Sequence, residues 1–156
     1  RFVWDLRQER PRSTEYDFTI GAVPGQDTPI SPQGSLVRPG RYSVRLTVDG
    51  VTAEKTFEVV PDPRVESGAA ALAAIDAQLA LAARVGADLG RVAVALESGA
   101  TLEASVRAEL EEIGSTLASL LTDLEAADGP PTGPQRELAA RLAARLEDRM
   151  AKAVAP

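Results

Sequence analysis

The sequence predicts an α+β protein: an incomplete antiparallel β-sandwich over residues 1–61, followed by an antiparallel three-helix bundle over residues 62–156. Three observations carry this. Residues 39–60 read as two alternating strands around Asp49-Gly50, a pair suited to a type I′ turn with φ > 0 at both central positions. The prolines of Pro61-Asp62-Pro63 then stop strand pairing, and the composition turns abruptly to alanine and leucine. Beyond that point apolar residues recur at steps of three and four in three runs separated by Gly- and Pro-rich breaks.

Within the first part, residues 2–6 alternate, with Phe2, Trp4 and Leu6 on one face, and predict an inward-facing strand. Residues 8–13, polar and holding Pro11, predict a turn. Residues 15–20 alternate again and place Tyr16, Phe18 and Ile20 inward on a second strand. The stretch 21–40 holds four prolines and four glycines and reads as a long surface loop, with a short edge strand at Leu36-Val37. Pro39-Gly40 suits a type II turn that launches the hairpin.

The Asp49-Gly50 turn fixes the register of the hairpin. Val48 faces Val51, Leu46 faces Ala53, Val44 faces Lys55 and Tyr42 faces Phe57 on an apolar side. Thr47 faces Thr52, Arg45 faces Glu54, Ser43 faces Thr56 and Arg41 faces Glu58 on a hydrogen-bonding and charge-matched side. A slip of one residue would mix the two faces. The apolar side needs an opposing sheet, and this part offers too few strands to supply one.

The first helix is expected over about residues 67–97, capped by Ser67 with Asp62-Pro63 as a rival start, and with a seam of Leu72, Ile75, Leu79, Ala82, Gly86, Leu89, Ala93 and Leu96. The small residues Ala82, Gly86 and Ala93 would let a neighbour come close. Gly99 and Thr101 suit the end of this helix and the start of the next. The second helix is expected over about 102–127, with Val106, Leu110, Ile113, Leu117, Leu120 and Leu124 inward. The third is expected over about 134–154, with Leu138, Leu142, Leu146 and Met150 inward and Thr132 or Gly133 as cap. Residues 102–128 hold seven acids and one Arg, whereas 136–152 hold five bases and three acids, so these two helices should lie side by side.

Composition excludes several functions. The chain has no cysteine and no histidine, which removes thiolate chemistry, disulfides, the usual neutral-pH base and the commonest zinc ligand. Its net charge of −6 falls wholly in residues 61–156, because residues 1–60 balance eight bases against eight acids. An acidic chain without a basic stripe is a poor partner for nucleic acid or anionic membrane. No apolar run is long enough to span a bilayer. The opening Arg1-Phe2-Val3-Trp4 resembles the inside of a strand, which predicts that the chain is a piece of a longer protein.

Three blocks taken together carry a family resemblance: residues 1–7, residues 39–50, and Asp62-Pro63-Arg64-Val65. In this order they resemble the C-terminal region of large bacterial BNR/sortilin-type β-propeller proteins, often labelled glycosyl-hydrolase-like. In that family the propeller is followed by an Ig-like β-sandwich, similar to that of the flagellar hook-capping protein, and then by a helical tail. The resemblance implies an Ig-like sandwich, an extracellular or periplasmic location, and an N-terminal propeller as partner. It carries no catalytic residue over to this chain.

Asp5, Glu15 and Asp17 could supply the two carboxylates of glycoside cleavage, but they fall on the outer faces of the expected strands. Trp4, Tyr16 and Tyr42 are the candidate ligand or interface residues, either as a sugar-stacking platform or as sandwich core. Glu109, Glu111 and Glu112 could hold a divalent cation but read as a solvated helix face. Residues 21–25 lack the Lys-Ser/Thr ending of a phosphate loop. The leucine seams serve an internal core or a homodimer. The expectation is a non-enzymatic accessory region with no cofactor and no metal. The alternatives are a carbohydrate-binding module using Trp4 and the 21–40 loop, and a homodimerisation module.

Overall fold

The computed structural model describes residues 3–18, 23, 28–62, 68–98, 102–127 and 129–154, with side chains to residue 152. The fold is mixed α+β, with two small antiparallel sheets and three helices. The first sheet pairs β1 (Asp17–Phe18) with β2 (Ile30–Ser31), and the second pairs β3 (Gly40–Val48) with β4 (Val51–Val59). The helices are α1 (Ala69–Glu97), α2 (Ala104–Ala126) and α3 (Gly133–Val154).

The hairpin has the register that the Asp49-Gly50 turn requires, with all nine pairs from Val48↔Val51 to Gly40↔Val59 in place. Asp49 has φ 49° and Gly50 φ 79°, the two positive values of a type I′ turn. The polar face closes as the pairing demands: Arg45 holds Glu54 at 2.9 Å, and the Thr47 and Thr52 hydroxyls share a hydrogen bond.

The expected strand over 2–6 is not formed by its described residues; Phe2 lies outside them. Leu6 adopts φ 62°, which no strand accommodates. A local turn replaces the strand: the Arg7 N–H donates to the Asp5 carboxylate at 3.0 Å, and the Trp4 indole N–H donates to the Arg7 carbonyl at 2.9 Å. Pairing begins only at Arg7, which bridges Leu36. Bonds from Gln8 N–H to Ser35 and from Val37 N–H to Leu6 flank that bridge, so the short edge at Leu36-Val37 exists in reduced form. Val3 and Leu6 are exposed.

The expected strand over 15–20 is cut to Asp17–Phe18 within the described residues, and Thr19 and Ile20 lie outside them. Tyr16 and Phe18 face solvent instead of a core. The reason is local: the Tyr16 hydroxyl donates to the Pro11 carbonyl and accepts the Ser13 N–H, which folds residues 11–16 on themselves. The 21–40 stretch is less of a free loop than its composition implied. Ile30–Ser31 is a strand, and Pro32 and Gly34 are buried.

The helices share one core, centred on Val85, Leu89 and Val92 of α1, Leu110, Ile113, Leu117 and Leu124 of α2, and Leu142 and Leu146 of α3. Every seam residue expected in α2 is buried. In α1 the buried stripe is wider than the expected heptad seam. It adds Leu81, Val85 and Val92, while Leu72, Ile75 and Leu79 stay half-exposed. Two neighbours explain the width, because α1 packs against α2 and also against α3, where Arg91 reaches Glu147. The tightest approach falls at Gly114 rather than Gly86: a Cβ there would lie 3.0 Å from the Val92 side chain.

Residue pairs give the helix directions. Gln78 donates to the carbonyls of Leu124 and Ala127, Gly86 faces Leu121, and Val92 faces Gly114, so numbers rise in α1 as they fall in α2. Between α2 and α3, Glu112 holds Arg145 at 3.1 Å and Glu109 holds Arg149, the opposite-charge match foreseen from composition. Arg91 adds a tie from α1 to Glu147 of α3 at 2.7 Å.

The cap expected at Thr132 is present as a capping box: Gln135 N–H donates to the Thr132 hydroxyl, and Thr132 N–H donates to the Gln135 side chain. Ser67, Gly99 and Thr101 lie outside the described residues. The residues flanking the other two starts, Gly68 and Glu103, make no side-chain cap bond.

The Arg91 hydrogen bond lowers the Glu147 carboxyl below its ordinary value, and Lys152 lowers Asp148 in the same way. A depressed carboxylate stabilises the fold above its unfolded value, and that contribution is lost as pH falls through the folded value. We therefore expect Glu147→Gln to flatten the loss of stability on acidification below the ordinary glutamate range. Urea midpoints measured across that range would show it. An unchanged slope would mean that the Arg91–Glu147 pair contributes nothing.

Candidate functional site

The most distinctive surface is the β3–β4 hairpin. Its even-numbered β3 residues and odd-numbered β4 residues form one face, apolar except for Lys55 opposite Val44. At the root of the hairpin that face is partly covered: Trp4 and Tyr42 pack edge to face 5.5 Å apart, Trp4 and Phe57 likewise at 6.0 Å, and Tyr42 stacks on Phe57 at 6.1 Å. Aromatic clusters of this geometry hold their members in place beyond simple area burial. The Tyr42 hydroxyl is tied to the Arg38 carbonyl at 2.5 Å. At the tip the face is bare. Val44, Leu46, Val48 and Val51 are 47, 63, 56 and 74% exposed. Contiguous apolar surface on this scale marks an interaction site more often than chance.

Trp4 and Tyr42, two of the three candidate interface residues, are thus brought together. Tyr16 is not. It lies apart, with the Arg10 guanidinium 5.7 Å from its ring centroid. The edge contacts with two aromatics and the bond from its N–H to the Arg7 carbonyl fix the orientation of the Trp4 ring.

The candidate carboxylates are placed as follows. Asp5 is exposed and holds the Arg7 turn. Glu15 and Asp17 line an open cleft of about 840 Å³ between residues 13–18 and α2, with Glu111 and Asp123 on its other wall. Asp17 accepts the adjacent Phe18 N–H. Of the three helix acids, Glu109 and Glu112 are ion-paired with α3, and Glu111 stands 3.9 Å from Arg107. Among the described residues no group of three or more potential metal ligands converges.

Sequence reasoning missed Glu125. From the last turn of α2 its two carboxylate oxygens accept the Gln33 and Gly34 N–H groups, each at 2.9 Å. Arg7 completes the clamp by donating to the Gly34 carbonyl at 2.7 Å. Two exposed ion pairs join the same parts of the chain: Arg12 with Glu97, and Arg38 with Asp76 at 2.7 Å. Together these anchor the segments that carry Trp4 and the hairpin root. An acid in a helix's last turn has no favourable dipole partner there, and that anomaly is the one sequence signal that could have singled out Glu125. Glu125→Ala should cost about 2 kcal/mol, because two backbone donors lose a charged acceptor. Amide exchange at Gln33 and Gly34 should accelerate accordingly, and unchanged protection would show that the clamp is dispensable.

No family model, curated protein or solved structure matches this chain. Among the described residues no helix is long and apolar enough to cross a membrane.

Proposed function

We propose that this chain is a non-catalytic accessory region of a larger exported β-propeller protein, in which it caps or orients the propeller or mediates protein–protein assembly. In this reading residues 1–61 are a partial Ig-like β-sandwich and residues 62–156 an antiparallel three-helix bundle that supports it. One observation carries the reading. A hairpin of two nine-residue strands in fixed register leaves the tip of its apolar face bare while aromatics cluster at its root. Isolated two-stranded ribbons are marginal in water, so a hairpin with such a face is built to be covered by something else.

The resemblance of residues 1–7, 39–50 and 62–65 to propeller-linked sandwiches supports the propeller as neighbour and export as destination. The coding sequence upstream of Arg1 tests this: propeller repeats there would support the reading, and their absence would overturn it. Turnover of a glycoside by this chain, abolished by Asp17→Asn, would overturn the non-catalytic part.

A further inference from the structure

We propose that the β3 edge of the hairpin pairs with the β3 edge of a second copy of this chain, antiparallel and with Val44 opposite Val44 of the second copy. The proposal rests on the assembly reading above and names its partner. The starting point is the backbone. A two-residue type I′ turn makes Val48↔Val51 a hydrogen-bonded pair, and the ladder then alternates. Gly40, Tyr42, Val44, Leu46 and Val48 therefore spend their backbone groups on β4. Arg41, Ser43, Arg45 and Thr47 direct theirs outward. Among the described residues no backbone hydrogen bond leaves either outer edge of the hairpin. An open edge of this length is a template for pairing.

The side chains select the register. Pairing β3 with a second β3 about Val44 overlaps the whole strand. Tyr42 then neighbours Leu46, and Val44 meets its own copy on the apolar face. On the polar face Arg45 meets Ser43 and Arg41 meets Thr47. No like charges stand opposite one another, and the bare tip of each hairpin lies beside the aromatic root of the other. Moving the axis to Arg45 sets Arg45 against itself, and moving it to Ser43 sets Arg41 against Arg45 twice. Like charges directly opposite are destabilising.

The β4 edge offers no such solution. Its long self-pairings oppose Lys55 with Lys55, Glu54 with Glu54, or Glu54 with Glu58, so β4 is guarded where β3 is not. A head-to-tail pairing of β3 with a second β4 would match Arg45 to Glu54. It would, however, repeat the molecule every two strands, roughly 9.6 Å. The helical part is wider than that, since a single helix with its side chains already measures about 10–12 Å across. The two-fold arrangement points the hairpins in opposite directions and places the helical parts at opposite ends.

Sedimentation velocity over a concentration series, together with single-cysteine crosslinking, tests the proposal. The chain has no cysteine of its own. A directly opposed non-hydrogen-bonded pair has Cα atoms about 4.5 Å apart, within disulfide reach. We expect a reversible dimer. Val44→Cys should crosslink under mild oxidation and Leu46→Cys should not. Ser43→Arg, which sets arginine against Arg45 twice, should weaken the dimer about tenfold, and Ser43→Glu should tighten it severalfold. Position 43 is exposed, so circular dichroism should find both variants folded. A chain that stays monomeric at every concentration overturns the proposal, as does a dimer in which Leu46→Cys crosslinks as readily as Val44→Cys or the two Ser43 variants act alike. Either failure leaves the accessory reading to its own test upstream of Arg1.

Discussion

Gly34→Ala is expected to destabilise the protein by about 2 kcal/mol or more, with the loss centred on residues 31–38. Gly34 holds φ 105°, a conformation that strains any residue with a side chain by about 1–3 kcal/mol. Space makes this worse. An added Cβ would stand 2.6 Å from the Gln8 carbonyl oxygen and 2.9 Å from that of Glu9. Both obstacles are backbone, so neither can swing aside as a flexible side chain would. Relief requires the 31–36 segment to lift, and four bonds oppose this: Arg7 on the Gly34 carbonyl, Gln8 N–H on the Ser35 carbonyl, and Glu125 on the Gln33 and Gly34 N–H groups. Denaturant unfolding should give a lower midpoint. Hydrogen exchange should show lost protection at Gln33 to Val37, while the helical core keeps its own. A variant within about 0.5 kcal/mol of the parent would show that this segment is not fixed as described.

Leu110→Ala should be among the costliest truncations in the helices, at about 2–5 kcal/mol. Leu110 is 0% exposed in the middle of the shared core, so the cost combines lost transfer energy with an unfilled cavity. In a chain of this size that lowers the melting temperature by roughly 10 °C. The contrast residue is Val94 of α1, which is 50% exposed. Val94→Ala should stay within about 0.5 kcal/mol, because surface changes away from special features are nearly neutral. Similar losses for both variants would mean that the core is not where we place it.

The parts of the fold that could be read in advance were those set by a single repeating constraint. The hairpin register follows from Asp49-Gly50 alone, and the six seam residues of α2 follow from helical spacing, although the buried Gly114 and Leu121 beside them do not, because α2 packs on both α1 and α3. The misreadings share a cause. Residues 2–6 and 15–20 alternate in the manner of strands, yet polar groups a few residues away captured the chain first: Asp5 the Arg7 N–H, Pro11 and Ser13 the Tyr16 hydroxyl. Alternation records which side chains could share a face, and it is silent on whether a local turn wins. The width of the α1 stripe was hidden for a different reason, since nothing in its own spacing announces α3 as a second neighbour. The exposed hairpin tip was legible as a face in need of cover. The Glu125 clamp that seats the hairpin's supporting segments was not, because it joins residues more than ninety positions apart.

The aromatic cluster at the hairpin root has a practical consequence. Trp4 is the sole tryptophan, and all six aromatic residues of the chain fall within the first 57 positions, so the helices contain none. Fluorescence therefore watches the hairpin root alone, while far-ultraviolet dichroism is dominated by the helices. The protein carries two separate optical channels without any label. If the Glu125, Arg12 and Arg38 ties make the whole chain one cooperative unit, the two signals will change together on heating. Should the fluorescence shift first, the hairpin and its supports open as a unit of their own, and the temperature gap between the channels measures how firmly the helices hold them.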